Sequence, residues 1–477
     1  MKILQNLING VWQDPRVNTL LDVVNPATEE VIAQFGCGSA DDVDRAVDAA
    51  VDAQAGWAAL PVAQRIEHLS GWAEAIAEHA EELAELECRE MGKPVVLGRT
   101  FIDGAVQGFR VAAEEALAYP FVEDIPGPDG SNTTIVRNPV GAAAVITPWN
   151  FPVPMVLGAL GPILAAGNTV VVKPSERSPM STTRLFELST LPPGVANLLL
   201  GDSRAGAPLT EHNRIRLVHF TGSVDAGRRI GSETGGRLCR SILELGGKDP
   251  VVVDGGVDPV AVAGAVAFGA FANTGQICTS MERIYVHQEV AEAFVEALTE
   301  AASSYALGDG HDAGTVLGPL VDERQRTIVH EHVTDAVAGG AQIRCGGEIP
   351  EGKGFFYPAT VLTDVDDSMR VMTEETFGPV APVVVVSSFE EGIERAGGSR
   401  FALGATVYTN DPAHAAAAAA IPAGVTWINQ WQGGGPERLY EPAGDSGMGA
   451  TGARAAYDAA TRPATIHTAA IAGFAVS

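Results

Sequence analysis

The stretch 273–280 reads NTGQICTS and places Cys278 between two regular elements: a helix-like run of small residues over 257–272 and a strand-like segment over 283–286. Gly275 allows the backbone to turn tightly there. A thiol at such a junction can be exposed and ionisable, and the thiolate is the nucleophilic form. The alternative is that Cys278 is a small hydrophobic core residue. Cys278 is therefore a candidate nucleophile that needs support from other residues.

Two polar residues elsewhere could serve such a nucleophile. Asn150 lies in the segment PWNFP (148–152), and a tetrahedral adduct on Cys278 would need an amide donor of this kind. Glu244 lies in an apolar predicted strand before two glycines, where desolvation should raise its pKa and make it a general base near neutral pH. Each has a structural alternative, because Asn150 could cap a turn and Glu244 could be a paired buried acid.

The segment KPSE (173–176) carries groups suited to a ribose. Lys173, Ser175 and Glu176 follow a predicted strand, and a lysine and a carboxylate at a strand's carboxyl end suit sugar hydroxyls. A carboxylate there would also repel a 2′-phosphate, which favours NAD over NADP, although the neighbouring Arg177 weakens this preference. The alternative is a surface turn held by salt bridges.

Two further turns suit other parts of a dinucleotide. Gly222 and Ser223 lie at a predicted strand-to-helix turn, where backbone N–H groups can accept a pyrophosphate, but the G-x-G-x-x-G fingerprint is absent. The acidic turn EETFGP (374–379) precedes a strand, and its Glu375 could hold a second ribose. A solvated charge cluster is the alternative for that turn.

The composition is that of a globular protein large enough for two or three domains, with 477 residues, 46% hydrophobic and 19% charged. A formal net charge of −28 argues against nucleic acid and anionic membranes as partners. The five cysteines lack C-x-x-C spacing, which is typical of a reducing compartment and predicts no metal. No signal peptide or membrane span is predicted, so we expect a cytoplasmic enzyme.

Strands alternate with helices along most of the chain, after helices predicted over 62–88 and 98–119. Strands are predicted near 142–147, 169–173, 214–220, 242–245, 251–254, 283–287, 357–363, 380–386, 404–409 and 424–428, and later helices near 257–272, 288–306, 322–339, 389–397 and 411–420. This alternation predicts an α/β fold with parallel sheets, right-handed crossovers and ligands at the carboxyl ends of the strands. We expect two α/β domains, with Cys278 just inside the second.

Together, these stretches resemble the NAD(P)-dependent aldehyde dehydrogenase superfamily. The motifs PWNFP, KPSE, FTGS, ELGGK and EETFGP surround the cysteine stretch in the family's order, and the match covers nearly the whole chain. The spacings from Glu244 to Cys278 and from Cys278 to Glu375 are also similar to those of the family.

The resemblance implies a reaction in which Cys278 attacks an aldehyde and forms a thiohemiacetal, then a thioester. The amide of Asn150 and the backbone N–H of Cys278 would stabilise the oxyanion, and Glu244 would activate the water that releases the acid. It also implies that the cofactor, NAD with NADP left open, is bound by Trp149, Lys173, Ser175, Glu176, Gly222, Ser223, Leu245, Glu375 and Phe377.

The resemblance further implies three structural parts. These are a Rossmann-like NAD-binding domain at 1–118 and 141–248, an α/β catalytic domain at 249–446, and a small β oligomerisation extension at 119–140 and 447–477. Members of the family are usually dimers or tetramers, so a homodimer or homotetramer is expected here.

One segment departs from the family. Relatives usually carry P-F-G-G-x-K-x-S-G near the C-terminus, whereas residues 441–449 read EPAGDSGMG and the preceding QWQGGGP (430–436) looks lengthened. This segment walls the substrate entrance in relatives. Candidates for lining the substrate pocket, which could equally be plain core, are Phe151, Met155, Ile277, Thr279, Trp431 and Tyr440. No charge flanks Cys278, so we expect an uncharged aliphatic or aromatic aldehyde, with a cationic aminoaldehyde left open.

Two rival functions remain. A CoA-acylating member of the superfamily typically lacks the water-activating glutamate, so the presence of Glu244 favours hydrolysis. A binding protein that kept the fold and lost turnover is the second rival, and the altered C-terminal segment could permit it. The presence of Cys278, Glu244 and Asn150 together argues against it.

Overall fold

The structure, a computed structural model, describes residues 2–14, 20–128, 130–434 and 438–469. Part of the lengthened segment 430–436 and the end of the predicted extension 447–477 lie outside the described residues.

The described strands are short and run through the whole chain. In chain order they are β1 Lys2–Leu4, β2 Asn6–Ile8, β3 Val11–Gln13, β4 Leu20–Val24, β5 Val31–Gly36, β6 Val122–Pro126, β7 Asn132–Pro139, β8 Ala142–Ile146, β9 Thr169–Lys173, β10 Ala196–Leu198, β11 Leu217–Thr221, β12 Arg240–Glu244, β13 Asp249–Val253, β14 Met281–His287, β15 Gln342–Cys345, β16 Thr360–Thr363, β17 Val380–Val386, β18 Phe401–Ala402, β19 Gly404–Tyr408, β20 Val425–Ile428, β21 Ala443–Gly444, β22 Gly447–Met448 and β23 Thr461–Thr468.

The described α-helices fill most of the connections between these strands. They are α1 Ala40–Ala59, α2 Val62–Glu78, α3 Ala80–Met91, α4 Val95–Glu115, α5 Pro152–Ala165, α6 Pro179–Glu187, α7 Ser203–Glu211, α8 Val224–Gly236, α9 Pro259–Phe271, α10 Ala291–Ser304, α11 Glu323–Ala338, α12 Arg370–Thr373, α13 Phe389–Gly397, α14 Pro412–Ala417 and α15 Ala453–Ala460. None of these helices is long and apolar enough to cross a membrane.

The first large sheet has the strand order β22-β12-β11-β8-β9-β10-β2-β3. Its five central strands are parallel, and the strand order reverses between β8 and β11. In open sheets of this type ligands bind where the order reverses, outside the carboxyl ends of the strands. The Rossmann-like α/β fold expected from the sequence is therefore confirmed, with the switch point between β8 and β11.

The second large sheet has the order β15-β16-β17-β14-β13-β19-β20 and is parallel except at β15. Apolar strands such as β13 are buried along their whole length, because helices cover a parallel sheet on both sides. The 3₁₀ turn 272–275 follows α9, and Cys278 lies between that turn and the amino end of the central strand β14.

A third sheet, with the order β23-β7-β6, joins residues from the middle of the chain to residues near its end. The prediction grouped 447–477 with this extension. The described structure assigns 447–460 elsewhere, because β22 pairs with β12 and Tyr457 of α15 is buried in the core of the first domain. In the described chain the C-terminal contribution to the third sheet is β23 alone.

The predicted helix over 62–88 is two helices. His79, with φ −111°, breaks the pattern between α2 and α3, and Gly92, with φ 89°, ends α3 before Pro94 starts α4. A left-handed residue at a helix C-terminus is a position that glycine fills at low cost. Because of this break, α3 runs in its own direction, and its buried acids Glu87 and Glu90 lie at the starts of α5 and α6.

Two buried carboxylates of α3 act as long-range caps. Glu87 accepts a hydrogen bond from the backbone N–H of Val153 in the first turn of α5 (3.0 Å) and pairs with buried Lys93 (2.7 Å). Glu90 accepts from the backbone N–H groups of Met180 (2.5 Å) and Ser181 (2.9 Å) in the first turn of α6. Neither helix has a side-chain cap of its own. These contacts satisfy N-terminal donors that would otherwise be buried without partners.

We predict that Glu87→Gln lowers stability by about 3–5 kcal/mol, because it leaves the Lys93 ammonium buried without a carboxylate. Glu90→Gln should cost less, about 1–3 kcal/mol, since part of the hydrogen bonding is kept. The thermal midpoint and the urea midpoint measure both effects. Glu78→Gln, an exposed glutamate on α2, is the control and should change neither midpoint. An unchanged midpoint for Glu87→Gln would contradict the capping role.

Candidate functional site

The candidate site lies at the carboxyl ends of four neighbouring strands of the first sheet. Glu244 is the last residue of β12, and Gly222 follows the last residue of β11. Asn150 follows β8 in a short loop, and Lys173 ends β9. The sheet therefore brings together four residues that are far apart in the sequence, on both sides of the switch point.

The loop before Cys278 has an unusual backbone. Asn273, Thr274 and Gly275 all have left-handed conformations, with φ values of 51°, 57° and 70°. A Cβ atom on Gly275 would lie 2.1 Å from the carbonyl oxygen of Gly378, so only glycine fits there. Each non-glycine residue in this region costs about 1–2 kcal/mol, and such strain persists only where surrounding contacts impose it.

Buried side chains supply those contacts. The amide Nδ2 of Asn150 donates to the carbonyl oxygen of Gln276 (2.8 Å), and Asn273 Nδ2 donates back to the Asn150 carbonyl (3.2 Å). Gln276 is itself buried and accepts from the backbone N–H of Val321 (2.9 Å). Asn150 therefore bonds to the loop 273–278 two residues before Cys278, and this segment is called the Cys278 loop below. An amide nitrogen has two N–H donors, so one bond to Gln276 does not exhaust it.

Glu244 is a partly buried carboxyl whose charge acts on Cys278. Its Oε1 accepts from the hydroxyl of Thr451 (3.1 Å), and burial raises its pKa to about 8 although that hydrogen bond lowers it. Gly247, three residues on, packs so closely on the Cys278 loop that a Cβ there would lie 2.3 Å from the Cys278 carbonyl oxygen. Such a carboxyl can hold or release a proton near neutral pH.

The Cys278 thiol is only partly exposed. Burial raises its pKa above the ordinary value, and the negative charges of Asp249, Glu244 and Glu375 raise it further. Burial and these neighbouring acids therefore disfavour ionisation of the Cys278 thiol in this structure. The thiol needs a base to accept its proton.

A second group of acids organises the loop at 374–379. Glu375 is partly buried, its Oε1 accepts from the backbone N–H of Gly247 (3.1 Å), and desolvation raises its pKa to about 8. Glu282 accepts from the backbone N–H groups of Thr376 (2.8 Å) and Phe377 (2.9 Å) and pairs with Lys248 (2.5 Å). The Phe377 ring meets Trp149 edge-on at 5.4 Å between centroids.

The predicted ribose-binding residues lie at the opposite end of the same cavity. Lys173 is buried, and its ammonium donates to the carbonyls of Pro174 (2.7 Å) and Gly201 (2.8 Å). Glu176 is exposed. Arg177 pairs with Asp322 (2.8 Å) and lies over the Trp149 ring (5.6 Å).

One cavity of about 1160 Å³ connects these groups. Most of the predicted site residues line it, namely Trp149, Asn150, Phe151, Met155, Lys173, Ser175, Glu176, Gly222, Ser223, Leu245, Ile277, Cys278, Glu375 and Phe377. Its size and continuity suit a dinucleotide with a small substrate at the Cys278 end. Ser223 caps α8 through the backbone N–H of Ala226 (3.4 Å), so the cavity also meets the amino end of a helix, where a phosphate is favoured.

Three predicted pocket residues are not part of the lining among the described residues. The carbonyl of Thr279 accepts from Trp431 Nε1 (3.0 Å), and the Trp431 ring packs edge-on against Phe268 at 5.7 Å. Tyr440 forms a β-bridge with Thr451. Trp431 nevertheless packs in one cluster with the lining residues Phe151, Met155 and Ile277, and Thr279 bonds to the lining residue Gln432, so their place at the substrate end stays a prediction.

Sequence reasoning also missed three residues of the site. Phe101 of α4 lines the cavity and meets Phe151 edge-on at 4.8 Å. Gln432 lines it and donates to the Thr279 hydroxyl (2.8 Å). Thr451 contacts Glu244. No local sequence pattern identifies these residues as part of the site, because each lies outside the motifs that predict it. Gln432 alone could have been suspected, because it is polar and follows the predicted pocket residue Trp431.

A family model described as "Aldehyde dehydrogenase family" matches residues 12–466. The chain belongs to the aldehyde dehydrogenase family. This aldehyde dehydrogenase is 36% identical over 412 residues to the NADP(+) succinate-semialdehyde dehydrogenase of Escherichia coli (strain K12), with 85% of each chain covered. It is 35% identical over 464 residues to the phenylacetaldehyde dehydrogenase of Pseudomonas fluorescens, which covers 93% of this chain and 92% of the relative.

Its fold is similar to that of betaine aldehyde dehydrogenase from Staphylococcus aureus in complex with NAD+. The TM-score is 0.93 with 31% identity, covering 97% of this chain and 94% of the other. The predicted family, enzyme class and NAD(P) dependence are therefore confirmed.

We predict that Thr451→Val shifts the pH dependence of this aldehyde dehydrogenase. The hydroxyl bond lowers the pKa of Glu244, so its loss raises that pKa further above about 8. A base acts when deprotonated, so the rising limb of the kcat–pH profile should move to higher pH by about one unit, since a hydrogen bond to a charged group is worth about 1.5–3 kcal/mol. Thr451→Ser keeps the hydroxyl and should keep the profile. Equal profiles for the two variants would contradict the contact's role.

Proposed function

We propose that this aldehyde dehydrogenase oxidises uncharged aldehydes to carboxylic acids, with Cys278 as the nucleophile. The observation that carries the proposal is that three groups from separate segments meet around Cys278: Asn150 and Cys278 line the cavity, and Glu244 lies behind its lining, next to Leu245. Cys278 lies in the loop before β14, Asn150 bonds to that loop, and Glu244 lies where its charge acts on the sulfur.

In the first step the sulfur attacks the aldehyde carbon and the thiol proton leaves. Glu244 is suited to accept that proton, because its pKa of about 8 keeps a fraction in the basic form near neutral pH. The oxyanion that forms is stabilised by the Asn150 amide and the Cys278 backbone N–H, as preorganised donors in a buried site are effective. The product of this step is a thiohemiacetal.

Trp149, Glu375 and Phe377, which line the cavity, would hold the nicotinamide and its ribose, and the bound cofactor would supply an acceptor for the hydride of the thiohemiacetal carbon. Loss of the hydride leaves a thioester on Cys278. Glu244 then releases the thiol proton to solvent and, as a carboxylate again, takes a proton from water. The water oxygen attacks the thioester carbon, and the carbon–sulfur bond breaks to release the acid and a Cys278 thiolate, which takes the proton back from Glu244. The presence of Glu244 supports water, rather than CoA, as the acceptor.

The proposed substrate class rests on the apolar end of the cavity. Phe101, Phe151, Met155 and Ile277 line it near Cys278. The nearby cation Lys93 lies 4.2 Å from the Phe151 ring centroid but is fully buried and paired with Glu87, so it does not offer a charge to a substrate carboxylate. The likeness to a phenylacetaldehyde dehydrogenase supports an uncharged aromatic or aliphatic aldehyde.

The test is NADH formation with a panel of aldehydes. We predict higher kcat/KM for phenylacetaldehyde than for succinic semialdehyde or an aminoaldehyde, because the apolar side chains of Phe101, Phe151, Met155 and Ile277 offer no ion-pair partner to either ion. Cys278→Ala should abolish turnover. Glu244→Gln should slow deacylation by about 10²-fold or more, since removing a general base has this scale of effect. It should slow the first burst of NADH less, because solvent can still accept the thiol proton, so a burst should remain.

Cys239→Ser, which changes a thiol outside the cavity, is the matched control and should behave as wild type. Full turnover by Cys278→Ala would contradict the assignment of Cys278 as the nucleophile. Normal steady-state turnover by Glu244→Gln would contradict the assignment of Glu244 as the base. A preference for the charged aldehydes would overturn the substrate class alone.

We further propose that NAD is preferred over NADP. Glu176 lines the cavity near Lys173 and would repel a 2′-phosphate. Two arginines of this wall already have carboxylate partners, since Arg177 pairs with Asp322 (2.8 Å) and Arg228 with Asp445 (2.6 Å). Arg229 also lines the cavity and leaves some NADP use open.

Glu176→Ser should raise kcat/KM with NADP relative to NAD by at least about tenfold, the effect of about 1.4 kcal/mol of lost repulsion. The measurement is the ratio of kcat/KM values for the two cofactors at one aldehyde concentration series. Glu187→Ser, an exposed acid outside the cavity, should leave the ratio unchanged. An unchanged ratio in Glu176→Ser would remove the basis for the preference.

We propose a homo-oligomer that works in the cytoplasm. Three apolar side chains of the third sheet are exposed, Val122 (59%), Ile125 (46%) and Ile466 (56%), which suits an interface between copies. The five cysteines are free thiols, as a reducing compartment allows. Light scattering should give a dimer or tetramer mass, and Val122→Glu with Ile466→Glu should lower it. A monomer at micromolar concentration would contradict the oligomer.

A further inference from the structure

A cysteine, a histidine and an aspartate converge away from the cavity. Cys88 Sγ lies 3.4 Å from His311 Nδ1, and the same nitrogen lies 2.8 Å from Asp309 Oδ1. The three atoms all lie within 4.8 Å of one another. Cys88 is buried in α3, whereas the other two side chains are partly exposed on the loop after α10.

The backbone holds this loop against α3. The N–H of Val95 donates to the Gly310 carbonyl (3.0 Å), and a Cβ on Gly310 would lie 2.6 Å from Cys88 Sγ. Gly310 therefore lets the loop approach the sulfur closely. The position of all three donors is set by packing between the first domain and the second.

The positions of the three donor atoms suit a bound cation better than a shared proton. His311 Nδ1 faces both Cys88 Sγ and Asp309 Oδ1, and one proton on that nitrogen cannot form good hydrogen bonds to both atoms. Tetrahedral zinc with bonds of about 2.0–2.3 Å places its ligand atoms about 3.3–3.8 Å apart. The 3.4 Å sulfur–nitrogen distance fits this range, and the partly exposed Asp309 has room to open its 2.8 Å contact.

The charge around the sulfur also favours a cation. The carboxylates of Asp309 and Glu85 act on the Cys88 sulfur and so attract positive charge to the site. Metal binding would release the thiol proton to solvent as the sulfur–metal bond forms.

We propose that Cys88, Asp309 and His311 form a binding site for a divalent transition metal of the zinc type, with water as the fourth ligand, at the seam between the two α/β domains. The mixed sulfur, nitrogen and oxygen donors select zinc over magnesium or calcium. The metal would join α3 to the loop of the second domain. No short sequence motif could show this site, because Cys88 is distant in sequence from Asp309 and His311.

The experiment is a zinc titration of the full chain carrying Cys278→Ala, stripped of metal, so that the nucleophile does not compete. Bound zinc is measured by competition with a chromophoric chelator, and the thermal midpoint is followed in parallel. We expect one zinc to bind per chain and to raise the thermal midpoint. Magnesium should leave the thermal midpoint unchanged. Cobalt in place of zinc should give a sulfur-to-cobalt charge-transfer band.

Matched variants in the same background separate this site from others. Cys88→Ser and His311→Gln should each weaken zinc binding by at least tenfold, and Cys88→Ser should remove the cobalt band. Cys239→Ser should change nothing. His311 is partly exposed, so its variant decides the matter if Cys88→Ser does not fold. Absence of zinc binding, or equal binding by the parent and His311→Gln, would overturn the proposal.

Discussion

The position of Cys278 depends on hydrogen bonds that join the loop before it to the loop after β8. The Asn150 amide bonds to the carbonyl of Gln276, and the Asn273 amide bonds back to the carbonyl of Asn150. These bonds hold two non-glycine residues in left-handed conformations just before Cys278. Asn150 therefore supports the loop before Cys278 and also carries the amide donor proposed for the oxyanion. A substitution of Asn150 would alter both the loop's conformation and the proposed oxyanion site.

The site is rich in buried acid. Glu244, Asp249 and Glu375 all act on the Cys278 thiol, and the pKa of each carboxyl is raised by burial. Both oxygens of Asp249 are buried without a hydrogen-bond partner among the described residues. A site of this charge disfavours a resting thiolate and favours a cationic ring. It is therefore suited to a reaction in which the proton leaves the sulfur when substrate and oxidised cofactor are present together.

The helix starts show how this arrangement is built. Glu87 and Glu90 on α3 accept from the first turns of α5 and α6. Those helices begin just after the Asn150 loop and the Lys173 segment, so one buried helix face fixes the start of both. Polar groups buried in this way must be satisfied, because an unpaired carboxylate there would be costly.

Much of the fold followed from the sequence, since apolar strands alternate with helices and the chemistry-bearing turns follow strand ends. Cys278, Asn150 and Glu244 could be singled out because the turns that carry them have distinctive local composition. Phe101 and Thr451 could not, because nothing local marks a phenylalanine inside a helix or a threonine after a glycine-rich turn as a neighbour of the site. The packing of the Trp431 ring on Phe268 could not be foreseen either, because the two residues are far apart in the sequence. The split at His79 and the pairing of β22 with β12 likewise depend on tertiary contacts.

The most direct test of the central claim is the mass of the Glu244→Gln protein after brief reaction with aldehyde and NAD+. Deacylation should be slow in this variant, so the acyl group should accumulate on the enzyme, and peptide mapping should find it on Cys278. We expect one acyl group per chain, formed only when NAD+ is present. An acyl group on Cys37, Cys88, Cys239 or Cys345 instead, or no adduct while NADH is still produced, would contradict the account.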